Sequence, residues 1–162
     1  MQTLIPIAME IAVLLKARRQ TVAVAESSAG GLIAAALLSV PGASAYFLGG
    51  GVIYTREARR ALLGIPDDAM RGLRSSSEPY AQLLATTIRE RHGAVWGLAE
   101  TGATGPTGNG YGDAAGHACI AVAGLHQSVA TLETGDSDRQ ANMRRFALTA
   151  LQALHAALRT AP

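Results

Sequence analysis

The chain has 162 residues, of which 49% are apolar and 16% are charged. This length and composition suit one folded domain with a core of small aliphatic side chains, and they exclude an intrinsically disordered chain. The formal net charge of +2 reflects arginines scattered along the sequence, so a nucleic-acid-binding surface is not expected.

The cysteine and histidine content narrows the class of protein further. Cys119 is the single cysteine, which excludes an internal disulfide and favours a reducing, cytoplasmic compartment. No signal peptide and no bilayer-spanning apolar run is recognised, so no membrane partner is expected. The four histidines are scattered, which argues against a metal site, and no cofactor is expected.

Hydrophobic periodicity predicts helices and strands that alternate along the chain. Helices are predicted at 6–19, 32–38, 56–63, 77–93 and 136–159. Strands are predicted at 21–25, 45–55, 94–99, 117–123 and 127–133. This order predicts a three-layer α/β/α domain over residues 1–162, with a mixed, mostly parallel sheet of about five strands whose last two are antiparallel.

Two stretches rich in small residues interrupt this pattern. Glycines 49–51 lie inside a predicted strand and indicate a β-bulge or a close backbone approach. Residues 101–116 show no periodicity and are predicted as a loop that follows a strand, where α/β proteins often bind ligands. Glu100, just before that loop, is interpreted as a solvated strand end, with an arginine or a ligand hydroxyl as the alternative partner.

Ser27 lies in the turn between the first strand and the second helix, and two interpretations remain open. Its hydroxyl can be exposed beside free backbone N–H groups, which bind an anion or a developing oxyanion. Alternatively, Ser27 caps the helix, and the glycines that follow only permit tight packing. The turn lacks the glycine-lysine pattern of a P-loop, which excludes that class of phosphate site.

Tyr54 and Arg59 form a second candidate group. Tyr54 ends the glycine-rich strand and Arg59 lies one turn into the next helix, so both can face the Ser27 turn. Taken alone, a tyrosine and an arginine at this spacing are most often surface residues.

Several segments, in the same order along the chain, resemble motifs of the CinA C-terminal domain family. Residues 25–31 match A-E-S-C-T-G-G, 41–45 match P-G-S-S-A, 54–59 match Y-S-N-E-A-K, 77–78 match S-E, 101–106 match T-G-I-A-G-P, and 135–136 match the start of G-D-R. The resemblance covers essentially the whole chain. The molybdopterin-binding-like domain that often accompanies this family at the amino-terminal side is not recognised within 1–162.

The resemblance implies a reaction and a set of site residues. The family's activity is that of a nicotinamide-nucleotide amidase, which hydrolyses nicotinamide mononucleotide to nicotinic acid mononucleotide and ammonia in pyridine nucleotide salvage. Carried onto this chain, Ser27 would be the nucleophile, and Tyr54 and Arg59 would activate it. The resemblance also implies a substrate-binding set, in which glycine N–H groups hold an oxyanion or phosphate, made up of Glu26, Gly30, Gly31, Ser44, Thr101, Gly102 and Gly105.

Two positions depart from the family pattern. Arg59 stands where the family carries a lysine, and an arginine stays protonated, so it cannot accept the Ser27 proton. The loss of a general base typically costs ~10²–10⁴-fold in rate. Asp113 replaces the lysine of a K-P-V-G segment, which predicts weaker binding of a phosphate.

Three hypotheses follow from the resemblance and its departures. The chain is a slow amidohydrolase with Tyr54 as the base, or an inactive homologue that binds a nucleotide or a partner, or an enzyme of the same fold with another substrate. Self-association into a homo-oligomer is also expected, as for many small α/β enzymes.

Overall fold

The computed structural model describes residues 1–161 and contains the predicted alternation of helices and strands. The helices are α1 (Ile5–Arg18), α2 (Leu32–Leu38), α3 (Arg56–Leu63), α4 (Glu78–His92) and α5 (Arg139–Thr160). The strands are β1 (Val22–Glu26), β2 (Phe47–Val52), β3 (Trp96–Ala103), β4 (His117–Ala123) and β5 (Ser128–Glu133). Short 3-10 helices cover Ala43–Ala45 and Asp67–Met70.

The strands form one sheet in the order β2-β1-β3-β4-β5. β1 pairs with β2 and β3 in parallel, whereas β4 pairs with β3 and β5 in antiparallel. Four strands therefore point in one direction and β4 alone runs against them. The predicted α/β class, the mixed sheet and the antiparallel last pair are confirmed.

Helices cover both faces of the sheet because side chains alternate between faces along each strand. In β1, Val22 and Val24 contribute to a core with α1, α2 and α5, which contains the large side chains of Trp96 and Phe146. Ala23 of the same strand packs on the other face, against α3 and α4. The three layers follow from this alternation.

The glycine run in β2 permits a close approach to β1, as its composition indicates. The β1–β2 register shifts between Val22 and Ala23, where the ladder is irregular. A Cβ atom at Gly50 would lie 2.9 Å from the carbonyl oxygen of Val24, which is too close for any side chain. The predicted bulge or close approach is confirmed.

One predicted boundary is wrong in a way that matters for function. Residues 101–103 belong to β3 and pair with residues 117–119 of β4, so the loop is shorter than the predicted 101–116. Cross-strand hydrogen bonds impose this strand although the local sequence, rich in glycine and threonine, has no strand periodicity.

No helix within residues 1–161 is long and apolar enough to cross a membrane.

Candidate active site

The candidate site lies at the carboxyl ends of β1 and β3, which are neighbouring parallel strands. The crevice outside the carboxyl ends of such strands is where open α/β sheets bind ligands. The Ser27 turn follows β1 directly, and Glu100 lies within β3 beside it.

Glu26 builds one half of the Ser27 turn. Its buried carboxylate accepts hydrogen bonds from the N–H groups of Gly31 (2.9 Å), Ile33 (3.0 Å) and Ala34 (2.9 Å), which are otherwise unpaired at the start of α2. Burial raises the pKa of Glu26, and these three hydrogen bonds oppose the rise. Glu26, and not Ser27, therefore caps α2, so the interpretation of Ser27 as a helix cap is wrong.

Glu100 builds the other half of the turn. It is 0% exposed and accepts hydrogen bonds from the N–H of Ser27 (3.0 Å), the N–H of Ala29 (2.8 Å) and the hydroxyl of Ser28. Burial raises the pKa of Glu100, the three donors oppose the rise, and the charge of Glu26 adds to it. The expectation of a solvated strand end is wrong, because the carboxylate is needed to pair backbone groups of the turn.

The two carboxylates leave few free N–H groups in this turn. The N–H of Gly31 binds Glu26, and the N–H of Gly30 donates to the carbonyl oxygen of Ser27 at 3.1 Å. Two of the glycine N–H groups expected to hold an oxyanion or phosphate, those of Gly30 and Gly31, are thus engaged within the chain. Ser28 differs from them, because its N–H has no hydrogen-bond acceptor among residues 1–161.

The structure brings Ser27, Tyr54 and Arg59 to one pocket of about 330 Å³, at the lower end of the size range of ligand sites. Tyr54 is 59% exposed at the mouth, while Ser27 is half-buried on the turn. Tyr54 and Arg59 thus line the same pocket as Ser27. The remaining lining residues are Ile53, Thr55, Arg56, Ser75, Ser76, Tyr80, Thr101, Gly102 and Tyr111.

Arg59 is only 4% exposed and is held by acceptors on its own side of the pocket. Its Nε donates to the carbonyl oxygen of Ile65 at 3.4 Å, and its guanidinium forms an ion pair with Asp67. Burial raises the pKa of Tyr80, and the neighbouring Arg59 charge opposes this. No hydrogen bond within residues 1–161 joins Arg59 to Ser27 or to Tyr54.

Arg139 is a site residue that the sequence did not reveal. One guanidinium nitrogen donates to the Tyr54 hydroxyl at 3.2 Å and another donates to the carbonyl oxygen of Gly105 at 2.8 Å. Arg139 and Gly105 line a second cavity of about 210 Å³ beside the main pocket. One signal in the sequence could have revealed Arg139, namely its position at the first residue of α5. A positive charge there is unfavourable to the helix dipole, which suggests another role for the side chain.

Asp113, which the sequence predicts to weaken phosphate binding, is neutralised by a neighbouring arginine. Asp113 accepts two hydrogen bonds from Arg74, at 2.5 and 2.9 Å, and one from Asn109 at 2.8 Å. The bond to Arg74 holds the pKa of Asp113 below its usual value. The Arg74 guanidinium also lies 5.8 Å from the ring centroid of Tyr111, which lines the pocket.

Five residues of the implied substrate-binding set do not line this pocket, namely Glu26, Gly30, Gly31, Ser44 and Gly105. Ser44 is in the 3-10 helix before β2, at the amino ends of the parallel strands and so at the opposite edge of the sheet. Lys16, the only lysine, is at that same edge, where it donates to the carbonyl oxygen of Pro41 at 3.3 Å. Glu26 is buried beneath the turn, whereas Thr101 and Gly102 line the pocket.

This fold agrees with one known family. The family model of the CinA C-terminal domain matches residues 5–158, so the chain belongs to the CinA C-terminal domain family. A CinA-like protein of Anaeromyxobacter sp. (strain K) is 39% identical over 145 residues, which are 90% of this chain and 36% of the relative. A CinA-like protein of Prochlorococcus marinus (strain MIT 9313) is 43% identical over 113 residues, which are 70% of this chain and 26% of the relative.

Solved structures agree with this membership. A competence-damaged protein (CinA) superfamily protein from Klebsiella pneumoniae 700603 superposes with a TM-score of 0.89 at 27% identity, covering 96% of this chain and 98% of that one. The competence/damage inducible protein CihA from Agrobacterium tumefaciens has a TM-score of 0.86 at 30% identity, with 97% and 96% covered. The chain spans about a third of the length of the Anaeromyxobacter relative and matches these solved chains almost completely.

Proposed function

We propose that the Ser27 pocket binds a pyridine mononucleotide and that the protein slowly hydrolyses its carboxamide, giving nicotinic acid mononucleotide and ammonia. The observation that carries the proposal is that Ser27, Tyr54 and Arg59 line one pocket. Within it, Ser27 lies on a turn whose backbone N–H groups are bound by two buried carboxylates. A nucleophile on a rigid turn is held ready for attack, which lowers the entropic cost of the reaction.

Ser27 attacks the carboxamide carbon, and its proton passes to the Tyr54 oxygen while the Tyr54 hydroxyl proton passes to the amide nitrogen. The tetrahedral oxyanion collapses with cleavage of the C–N bond, and the protonated nitrogen leaves as ammonia. Water then hydrolyses the seryl ester and regenerates the Ser27 hydroxyl. Arg139 donates to the Tyr54 hydroxyl at 3.2 Å and so positions the Tyr54 oxygen for this proton transfer.

Two groups are suited to the negative charges of substrate and intermediate. The N–H of Ser28, the residue after the nucleophile, is a free donor for the oxyanion. Arg56 lines the pocket, is exposed and has no ion-pair partner among residues 1–161, so it is the proposed contact for the phosphate. An arginine can bind a phosphate through two parallel hydrogen bonds.

A second candidate function is binding without hydrolysis. It is favoured by the contacts of Arg59, which remains charged and is paired with Asp67. In this version, no base accepts the Ser27 proton quickly enough for turnover, and the pocket binds a nucleotide as a sensor or binding module does.

The deciding experiment measures ammonia release from nicotinamide mononucleotide and, in parallel, its binding by calorimetry. We expect slow release by the wild type, loss of release in Ser27→Ala with binding retained, and a rate increase of roughly 10²-fold or more in Arg59→Lys, which restores a side chain able to lose its proton. Arg60→Lys is the matched control, because Arg60 also pairs with Asp67 but is exposed outside the pocket.

The other outcomes separate the two candidate functions. Binding without ammonia release in the wild type supports the second candidate. Ammonia release that persists in Ser27→Ala contradicts the proposed nucleophile. Absence of both binding and release in the wild type and in Arg59→Lys contradicts the proposed substrate.

A further inference from the structure

Ser76 forms part of the pocket wall in a backbone conformation that its side chain disfavours. It lines the pocket with Ser27, and its φ of 55° lies in the left-handed region. Such a conformation carries an energetic cost for a residue other than glycine, and neighbouring contacts must hold it. The contacts of Ser76 therefore influence the shape of the pocket.

Two strands of the sheet supply these contacts. The N–H of Ser76 donates to the Thr101 hydroxyl of β3 at 3.3 Å. Its carbonyl oxygen accepts from Nε2 of His117, on β4, at 2.9 Å and from Arg74 at 3.3 Å. The bond to His117 is the shortest of these and the only one from a group that titrates near neutral pH.

Both ring nitrogens of His117 face acceptors. Nδ1 contacts the carboxylate of Glu133 on β5, while Nε2 contacts the Ser76 carbonyl and lies 3.8 Å from Asp113. A neutral imidazole has a single N–H and can donate to only one of these partners, whereas the imidazolium donates to both. The geometry is thus complete only when the ring is protonated.

We propose that His117 is a positioning residue whose protonated ring holds Ser76 in the wall of the Ser27 pocket. Loss of the proton removes the charge-assisted hydrogen bond to Glu133 or to Ser76, and the pocket wall loosens. The proposal depends on the proposed function only for the ligand used in its last test.

The electrostatic surroundings of His117 agree with a protonated ring. Burial lowers the pKa of His117, but the hydrogen bond to Glu133, the Ser76 carbonyl and the charge of Asp113 together outweigh it, so that the net pKa is raised. The titratable and charged groups around the ring are Asp113 and Arg74 from the two loops, Glu133 from β5, Cys119 from β4 and, through Thr131, Glu78 from α4.

The first test needs no ligand. In NMR titrations of the wild type, we expect the His117 ring and the Ser76 amide to share one midpoint above pH about 6.5, and the Ser76 amide to stop titrating in His117→Gln. His155→Gln is the matched control, because that ring pairs with Glu10 at 3.2 Å outside the pocket, and it should leave the Ser76 titration unchanged. A Ser76 amide that does not follow the His117 ring overturns the proposal.

A second variant keeps His117 and changes only its partner. Glu133→Gln removes the negative charge from an exposed position on β5, so it should fold normally and move the shared midpoint to lower pH. A purely structural role for His117 would leave the Ser76 midpoint where it is, and that result also counts against the proposal.

The last test uses nicotinamide mononucleotide and calorimetry on both sides of the midpoint. Between low and high pH, the affinity of the wild type should weaken about tenfold more than that of His117→Gln. The ligand titrates in the same way with both proteins, but position 117 titrates only in the wild type. Equal pH dependence in the two proteins overturns the effect on the pocket. Absence of binding by the wild type at every pH overturns the proposed function, whereas the NMR titrations still decide the role of His117.

Discussion

The Ser27 turn and the Arg59 helix form two sides of one pocket, yet they are held by different interactions. Buried carboxylates of Glu26 and Glu100 bind backbone N–H groups of the turn. Arg59 is held through Asp67, whose side chain is 55% exposed. A buried charge whose partners are backbone groups fixes geometry, whereas an ion pair open to water can exchange partners at little cost.

The largest expected effect tests the rigid side of this comparison. In Glu100→Ala, the N–H groups of Ser27 and Ala29 and the Ser28 hydroxyl lose their acceptor, so the free energy of unfolding falls by about 3 kcal/mol. Urea unfolding checks this, with Glu90→Ala on the exposed face of α4 as the control, which should change stability by less than about 0.5 kcal/mol. Equal stability of the two variants would contradict the conclusion that the buried carboxylate fixes the turn.

Glu26→Ala is expected to have the next largest effect. It removes the acceptor for three N–H groups at the start of α2 and should lower the free energy of unfolding by about 2 kcal/mol. Glu57→Ala is the matched control, since Glu57 also lies in the first turn of a helix but is exposed. Thermal or urea unfolding of both variants measures the difference, and a larger loss in Glu57→Ala would contradict the assignment of the cap.

Asp67→Asn tests the side of the pocket where Arg59 is held by its ion pair with Asp67. Water and the remaining amide oxygen can replace the lost carboxylate, so we expect only a small loss of stability in urea unfolding. Asp68→Asn, which breaks the exposed pair with Arg71, is the control and should have no measurable effect. A loss as large as that of Glu100→Ala would mean that Arg59 is fixed as firmly as the turn.

The smallest expected effect is a pH dependence at His117. Because its pKa is raised in the folded protein, its stabilising contribution is complete below the ordinary value of 6.5 and is lost as the pH rises through the folded pKa. The stability difference between wild type and His117→Gln should therefore shrink as the pH rises, in urea unfolding at a series of pH values. A difference that grows with pH would reverse the sign of the proposed linkage.

Local signals in the sequence were sufficient for most of the fold. The helix at 56–63 begins after Thr55, whose hydroxyl accepts from the N–H of Ala58, and ends at Gly64 with a φ of 64°. Ser77 caps α4 in the same way. Such caps and the hydrophobic periodicity act within a few residues, which is why the sequence reveals them.

The candidate site was only partly predictable, because some of its contacts join residues that are far apart in the sequence. Ser27, Tyr54 and Arg59 were found through local motifs and do share a pocket. The hydrogen bond from Arg139 to Tyr54 joins residues 85 positions apart, and that from Ser27 to Glu100 spans 73. The sequence near Arg139 and Glu100 does not identify the partner of either residue.

The sequence by itself determined the order of helices and strands, the family and the position of the Ser27 turn, because each depends on short-range patterns along the chain. Only the tertiary structure decided that Glu100 is buried under that turn, that Arg59 pairs with Asp67 and that His117 contacts the pocket wall. Burial and charge pairing depend on which segments the sheet brings together, and this information is distributed over the whole chain.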